Sequence, residues 1–236
     1  PAATHSAAHG VAAYLPHYPD VQVPASAGEA ARALRTCLTE AVARRLEDKA
    51  VGACLLSGGL DSSIIAAAAT ELGAKLPAIT VGMEGAPDLD NAKAMAEHLG
   101  MEHHVHIYTA DDIAGAVPNA VRAVESFDED CVSGAIANLF ASSMAARFTN
   151  CILSGEGGDE LFGGYHLLKD LPTEAERLVM MNKLIAIAYN TAVQRLDRSM
   201  MANTINYRTP FIDSEVVAFA LQLPVQWKIH READGR

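Results

Sequence analysis

The stretch SGGLDSS at Ser57–Ser63 decides the fold, because of what precedes and follows it. It comes directly after the continuously apolar run Ala50–Leu56, which is typical of a strand buried on both faces of a parallel sheet. An apolar helix is predicted to begin at Ser62 and to continue to about Leu72. A loop between a buried strand and a helix N-terminus favours anion binding, because backbone N–H groups and the positive end of the helix dipole converge there.

The residues of this loop indicate that the anion is a phosphate accompanied by a metal ion. Gly58 and Gly59 lack side chains, so backbone N–H groups can approach a phosphate closely. Asp61 would repel a bare phosphate, and its presence is explained by a Mg²⁺ ion between the two groups. Neither the Walker pattern G-x-x-x-x-G-K-[ST] nor G-x-G-x-x-G is present here, and the alternative is an ordinary glycine turn. Further hydroxyl donors are Ser57, Ser62 and Ser63.

Strands and helices alternate on both sides of the loop. Such alternation is typical of βαβ units, so we expect an α/β fold with a doubly wound parallel sheet. The further buried strands are predicted at 76–83, 103–108 and 150–153. The helices of this part are predicted at 27–48, 88–100, from 109 onward and at 133–148.

The end of the chain has a different pattern. Beyond Thr173 only helices are predicted, and these lie at 174–190, 191–204 and 213–222. We therefore expect an irregular N-terminal arm at 1–25, an α/β domain at 26–170, and a C-terminal helical part of the same domain at 171–236.

Composition narrows the class of ligand and compartment. The 236 residues include 29 acidic and 18 basic ones, a formal net charge of −11, which disfavours nucleic-acid binding. The four cysteines form no Cys-x-x-Cys pair, which argues against zinc-ribbon and thioredoxin-like sites and is typical of a reducing compartment. No apolar run approaches the roughly 18 residues of a membrane span, and the N-terminus does not resemble a signal peptide. We expect a cytoplasmic protein that acts on small molecules, without nucleic-acid or membrane partners.

A second glycine-rich segment, LSGEGGDELFGGY at Leu153–Tyr165, follows the fourth predicted strand. Because the carboxyl ends of parallel strands meet at one edge of a sheet, we expect this segment to face the first loop. Asp159 can then supply a second carboxylate to a Mg²⁺ ion facing Asp61, with phosphate oxygens completing the coordination. The alternative for Asp159 and Glu156 is a helix-capping role in a glycine-rich turn.

Two more segments complete a pattern: Ala78–Met83 followed by Pro87-Asp88, and RTPFID at Arg208–Asp213. In this order and spacing, the four segments resemble the ATP pyrophosphatase, or PP-loop, superfamily. Within it they are similar to the synthetase domain of class B asparagine synthetases and of the β-lactam and carbapenam synthetases. The resemblance runs from about Val51 to Trp227. It implies cleavage of ATP between the α and β phosphates, transfer of AMP to a carboxylate, and attack by ammonia or an amine.

The resemblance also implies ATP and Mg²⁺ as cofactors and assigns roles to residues. Asp61 and Asp159 would bind the metal, and Glu156 would meet the acyl-adenylate and its nucleophile. Arg198 and Arg208 would bind phosphate or the substrate carboxylate, the alternative being ion pairs with Asp197 or Asp213. The implied ATP-binding residues are Leu55, Leu56, Ser57, Gly58, Gly59, Asp61, Ser62, Ser63, Val81, Gly82 and Gly155.

Four departures from the family pattern leave the activity open. The first cysteine is Cys37, so no N-terminal glutaminase nucleophile is expected, and the nitrogen would come from ammonia, another amine or a separate amidotransferase subunit. Asn206 stands where the family has Glu, and Ser133 where asparagine synthetases carry Arg. The family's catalytic Lys lies beyond the end of this chain, and Lys228 is too early to replace it. The alternatives are a partner-dependent or catalytically incomplete nucleotide-binding module, or another PP-loop enzyme. A homo-oligomer is a further expectation for the assembly of the protein.

Overall fold

The computed structural model describes residues 3–6, 10–13, 22 and 24–229. Its strands are β1 (Ala3–Ser6), β2 (Gly10–Ala13), β3 (Ala53–Leu55), β4 (Ala78–Met83), β5 (His103–Tyr108), β6 (Cys151–Leu153) and β7 (Asn206–Arg208). Its helices are α1 (Ala27–Leu46), α2 (Leu60–Glu71), α3 (Pro87–Leu99), α4 (Ala110–Val124), α5 (Glu129–Ala145), α6 (Gly158–Phe162), α7 (Glu174–Ala188), α8 (Gln194–Met201), α9 (Ser214–Gln222) and α10 (Val225–Lys228). A π-helical turn at Tyr189–Val193 joins α7 to α8.

The five strands β3 to β7 form one parallel sheet in the order β5-β4-β3-β6-β7. The chain therefore moves outward from β3 in one direction and then returns to its other side with β6. This reversal creates a switch point between β3 and β6, and ligands of such sheets bind beyond the carboxyl ends of the strands at that point. The predicted doubly wound parallel sheet is confirmed.

Helices cover both faces of the sheet, which explains why its strands read as apolar runs. Cys54 belongs to a core cluster with residues of α1, α2 and α9, including Val42 and Ile65. Its neighbour Ala53 points to the opposite face and packs with residues of α5 and α8, including Leu196. Successive side chains of a strand alternate between faces, so both positions must be apolar when both faces are covered.

The prediction that only helices follow Thr173 is wrong at 206–208. These residues form β7, which pairs in parallel with β6 through the registers Cys151↔Asn206 and Leu153↔Arg208. The strand has three residues, lies at the sheet edge and carries the sequence NYR, so it has no apolar run that periodicity could detect. The C-terminal part thus contributes a strand to the same sheet as the first loop.

The N-terminal arm contains regular secondary structure where it is described, which its sequence did not predict. Strands β1 and β2 pair antiparallel, with Ala3 opposite Ala13 and Ser6 opposite Gly10. Backbone hydrogen bonds hold this pair of strands together. Because the residues of the two strands are mostly polar or small, the sequence has no alternation of hydrophobic and polar residues that would predict them. Residues 1–2, 7–9, 14–21 and 23 lie outside the described residues. Within the described part of the chain, no helix is both long and apolar enough to cross a membrane.

Candidate active site

The two glycine-rich segments lie side by side at the switch point. The first follows β3 and the second follows β6, and these two strands are hydrogen-bonded neighbours. Together they line a cavity of about 230 Å³. The lining residues are Leu55, Ser57, Asp61, Ser62, Asn138, Ser154, Gly155, Glu156, Gly157, Asp159, Glu160 and Leu196.

Serine hydroxyl groups shape the first loop from within. The hydroxyl oxygen of Ser62 accepts a hydrogen bond from the backbone N–H of Ser57 at 3.1 Å and lies 2.9 Å from the Ser57 hydroxyl oxygen. Ser63 donates its hydroxyl hydrogen to the Gly59 carbonyl at 2.7 Å. Helix α2 begins directly after Gly59, which has no side chain to cap the helix. The backbone N–H groups in the first turn of α2 therefore have no side-chain cap and are available to an anion.

Gly58 is required by its conformation and by its surroundings. Its φ of 86° is in the left-handed region, which disfavours residues with a side chain. A Cβ atom at this position would lie 2.1 Å from the carbonyl oxygen of Asp88, in helix α3. The loop backbone at Gly58 thus packs closely against α3, and this contact fixes the position of the turn that precedes α2.

We expect Gly58→Ala to destabilise the protein more than Gly73→Ala. Both glycines have positive φ, 86° and 80°, so alanine costs about 1 kcal/mol at either position through backbone strain. Among the described residues nothing lies within 4 Å of a Cβ at Gly73, so only Gly58→Ala adds a clash. We expect a further loss of about 1–3 kcal/mol, measured by urea unfolding. Equal losses in the two variants would contradict the close approach to Asp88.

The second segment packs its backbone directly onto the first loop. A Cβ at Gly155 would lie 2.6 Å from the backbone nitrogen of Ser62, and one at Gly158 would lie 2.3 Å from the carboxyl carbon of Asp61. Gly157 has a φ of 100°, which turns the chain into helix α6. The glycines of the second segment therefore allow the two loops to touch.

Carboxyl groups concentrate in this cavity. Burial raises the pKa of Asp61 to about 6, with further contributions from the negative charges of Asp159 and Glu160. Burial and the charge of Glu160 likewise raise the pKa of Asp159. Neither Asp61 nor Asp159 forms an ion pair with Lys or Arg in the part of the chain that the structure describes. A cation bound at these carboxylates would reduce the repulsion between their negative charges.

The donor set fits Mg²⁺ that is bound together with a phosphate. Among the described residues there is no group of three or more His, Cys, Asp or Glu side chains that could hold a metal alone. Mg²⁺ commonly takes one or two carboxylates and completes its octahedral shell with phosphate and water oxygens. Asp61 and Asp159, which line the cavity beside the N-terminus of α2, match that arrangement.

Glu156 is a partly buried carboxyl group of the cavity and has a basic partner. Burial raises its pKa to about 7, an effect that the neighbouring Arg195 opposes. The Arg195 Nη2 atom lies 3.3 Å from the Glu156 Oε1 atom. A carboxyl group with a pKa near neutrality can accept or release a proton under physiological conditions.

A second cavity of about 820 Å³ lies beyond this ion pair. Arg195 lines it, whereas Glu156 lines the smaller cavity, so their ion pair stands at the junction of the two. Arg198 also lines the larger cavity, where it donates to the Val124 carbonyl and pairs with Glu125 at 3.4 Å. The ion pair with Asp197 that the sequence analysis named as an alternative is therefore not formed, because Glu125 is the partner.

Three residues of the site were missed from the sequence. Arg195 stands three residues before Arg198 on one helix, and this spacing is a signal that could have found it. Asn138 comes from α5, and no local pattern distinguishes it from other polar helix residues. Glu160 accepts a hydrogen bond from the Tyr165 hydroxyl, and that contact is visible only in three dimensions.

One family model matches most of the chain and shows which family the chain belongs to. The family model described as Asparagine synthase matches residues 33–186 and 174–234, which is most of the chain. The chain belongs to the asparagine synthase family. The resemblance to the asparagine synthetase family that the sequence predicted is confirmed.

Relatives include glutamine-hydrolyzing asparagine synthetases of animals and plants. The chain is 34% identical to the Gallus gallus asparagine synthetase over 204 residues, which are 83% of this chain and 36% of that protein. It is 31% identical to asparagine synthetase 1 of Lotus japonicus over 215 residues, 86% of this chain and 37% of the relative. The chain thus spans little more than a third of the length of these relatives.

The solved structures that align with this chain include other synthetases. The NMN synthetase from Francisella tularensis is 18% identical, with a TM-score of 0.38, and the alignment covers 83% of this chain and 85% of that one. The NH3-dependent NAD synthetase from Campylobacter jejuni is 14% identical, with a TM-score of 0.39, over 89% and 99% of the respective chains.

Arg208, within the family's Arg-x-Pro-Phe motif, has a different environment from the one predicted. Its guanidinium group forms a bidentate pair with Asp48, at 2.8 and 2.5 Å, and also donates to the Arg45 carbonyl. It lines neither of the two cavities formed by described residues. The alternative partner Asp213 is also wrong, because Asp213 pairs with Arg44 and Arg45. Both terminal nitrogens of Arg208 are thus already engaged within the protein, and its predicted contact with a ligand has no support from the geometry.

The departures from the family pattern fall at different distances from the cavities. Ser133 lines the larger cavity. Asn206 is exposed on β7. Lys228 packs with its Nζ atom 6.0 Å from the Phe162 ring centre, and burial lowers its pKa to about 8. It lines neither cavity of the described residues.

Proposed function

We propose that this chain is the synthetase part of an ATP-dependent, AMP-forming carbon–nitrogen ligase. Its substrates are a small carboxylic acid, aspartate or a related acid, and ammonia or an amine. The observation that carries the proposal is the pairing of Asp61 and Asp159 beside the N-terminus of α2 at the sheet's switch point. Membership in the asparagine synthase family supports the same chemistry.

In the first step, the loop after β3 holds the triphosphate. The N–H groups of the first turn of α2 bind phosphate oxygens, and adenine lies against the strand ends at Leu55–Ser57 and Val81–Gly82. Asp61 and Asp159 would hold Mg²⁺, which would neutralise negative charge on the pyrophosphate. A carboxylate oxygen of the acid attacks the α-phosphorus atom. The bond from this phosphorus to the bridging oxygen of the β-phosphate breaks, and pyrophosphate leaves with the bond's electron pair.

In the second step, the residues at the junction of the two cavities act on the acyl-adenylate, which is the mixed anhydride formed in the first step. The lone pair of the amine nitrogen attacks the acyl carbon, and AMP leaves with the electrons of the acyl–oxygen bond. Glu156 accepts the proton that the nitrogen loses, for which its pKa of about 7 is suited. Arg195 keeps the Glu156 carboxylate in place and favours its charged form.

The partners and the compartment follow from the same proposal. The nitrogen comes from free ammonia, from an amine, or from an amidotransferase that belongs to a separate subunit or to the rest of a longer chain. The reaction needs no nucleic acid and no membrane, and we place it in the cytoplasm. Association of several copies of the chain is compatible with this chemistry.

A second candidate is a nucleotide-binding module that depends on a partner for catalysis. Two observations favour it: Arg208 is occupied by Asp48, and no lysine lines either of the two cavities. Such a module would bind Mg²⁺-ATP or AMP without turnover. A partner that contributes the missing cation would restore the reaction.

ATP–pyrophosphate exchange by the full-length gene product separates the two candidates. We expect exchange that requires Mg²⁺ and one acid from a panel of aspartate, glutamate and simple dicarboxylates. Exchange reports the first step alone, so it needs no knowledge of the nitrogen donor. Absence of acid-dependent exchange, together with tight ATP binding in calorimetry, would reject the ligase and support the binding module.

A further inference from the structure

Two buried hydrogen-bond donors at the junction of the cavities have no partner. They are the Nδ2 atom of Asn138 and the Nε atom of Arg195, and the structure reports no other such side-chain atoms among the described residues. Asn138 lines the smaller cavity and Arg195 the larger one. A buried donor without an acceptor is costly, and native proteins seldom keep one without a reason.

The backbone of α5 is adapted to the Arg195 side chain. A Cβ atom at Gly134 would lie 2.9 Å from the Cδ, Nε and Nη1 atoms of Arg195, so the guanidinium group occupies space that any other residue would fill. Asn138 follows Gly134 by four residues on the same helix, so both face the same direction one turn apart. Leu196, the neighbour of Arg195, lines the smaller cavity together with Asn138. The two donors without a partner therefore lie in the same wall, at the junction of the two cavities.

Resting on the proposed function, we propose that Asn138 and Arg195 form a donor pair that binds the carboxyl oxygens of the acid at the moment of adenylation. The phosphates lie at the N-terminus of α2, and the larger cavity holds the remainder of the acid. The reacting carboxyl group must therefore lie at the junction.

The chemistry of the two groups agrees with a carboxyl ligand. Both free atoms are N–H donors, so the ligand must present acceptor oxygens. The terminal Nη2 atom of Arg195 is already bound to Glu156, which leaves Nε free to face a second anion. Phosphate oxygens already have the amides of α2 and the metal as partners, whereas these two atoms are the only buried side-chain donors without a partner among the described residues.

The test compares Asn138→Leu and Arg195→Lys in ATP–pyrophosphate exchange by the full-length gene product. Leucine matches asparagine in size but cannot donate, and lysine keeps the charge beside Glu156 but loses the Nε donor. For the acid that supports the strongest wild-type exchange, we expect each variant to raise the KM of the acid about 10- to 100-fold. The KM of ATP should stay within about twofold, a separation that a general loss of structure would not produce. Matched controls are Asn119→Leu and Arg122→Lys on α4, where both residues are exposed.

The possible outcomes separate the two proposals. Wild-type protein without acid-dependent exchange rejects the proposed function and the donor pair with it. If the wild type is active but the variants keep the KM of the acid, or raise the KM of ATP instead, only the donor pair is rejected. Unfolding in urea confirms that the variants compared are folded, and a variant that is unfolded is replaced by Asn138→Ser or Arg195→Gln.

Discussion

Replacing Asp61 with asparagine is expected to lower ATP–pyrophosphate exchange by at least about 100-fold, because one ligand of the metal and its charge are lost. The same variant should be more stable than the wild type at pH 8 without Mg²⁺. At that pH the wild-type carboxylate is charged beside Asp159 and Glu160, and asparagine removes the repulsion. Asp111→Asn is the matched control, since Asp111 is an exposed acid in the first turn of helix α4.

The pH dependence of stability provides a second measurement of Asp61. Its pKa is raised from 3.8 to about 6 in the folded protein, so between about pH 4 and 6 the folded state binds the proton more tightly than the unfolded chain. The contribution of this group to stability is therefore highest at low pH and declines as the pH rises through that range. Urea unfolding in EDTA should show this decline in the wild type and a smaller one in Asp61→Asn. Identical pH profiles would contradict the repulsive cluster.

Replacing Glu156 with glutamine is expected to reduce amide formation by about 10²- to 10⁴-fold while reducing pyrophosphate exchange much less. Glutamine has the shape of glutamate but cannot accept the proton that the attacking nitrogen loses. Because the wild-type pKa is about 7, amide formation should rise with pH through neutrality in the wild type. The glutamine variant should lack this rise.

The comparison of the two half-reactions makes this expectation specific. Glu129→Gln, at an exposed acid in the first turn of α5, serves as the control for the change of charge. Equal losses of exchange and amide formation in Glu156→Gln would show that Glu156 acts already in adenylation. A pH profile unchanged by the substitution would assign the titration near neutrality to another group.

Local patterns predicted the elements that bind phosphate, because each is continuous in the chain. The strand, glycines and helix around Ser57–Ser63 adjoin one another, so hydrophobic periodicity and turn residues locate them without tertiary information. The convergence of Asp61 and Asp159 could also be predicted. Parallel strands place their carboxyl ends at one edge, and each aspartate follows such a strand.

Features that have no local sequence pattern could not be predicted in this way. Strand β7 is three residues long, and only its pairing with β6 makes it a strand. The partner of Arg208 is Asp48, which is 160 positions earlier in the chain, so neither nearby aspartate was the correct choice. Ion pairs of this kind depend on which helix ends meet, and charge alone does not determine that.

The sequence by itself determined the family, the sheet and the phosphate loop, because these depend on glycines, carboxylates and apolar runs at short spacing. The tertiary structure alone decided which side chains meet at the junction of the two cavities. Arg195 and Asn138 reach the junction because α8 packs against the face of α5 that carries Gly134, leaving one donor of each without a partner. That packing joins residues more than 50 positions apart, and its result depends on side-chain volume and burial, which no local pattern records.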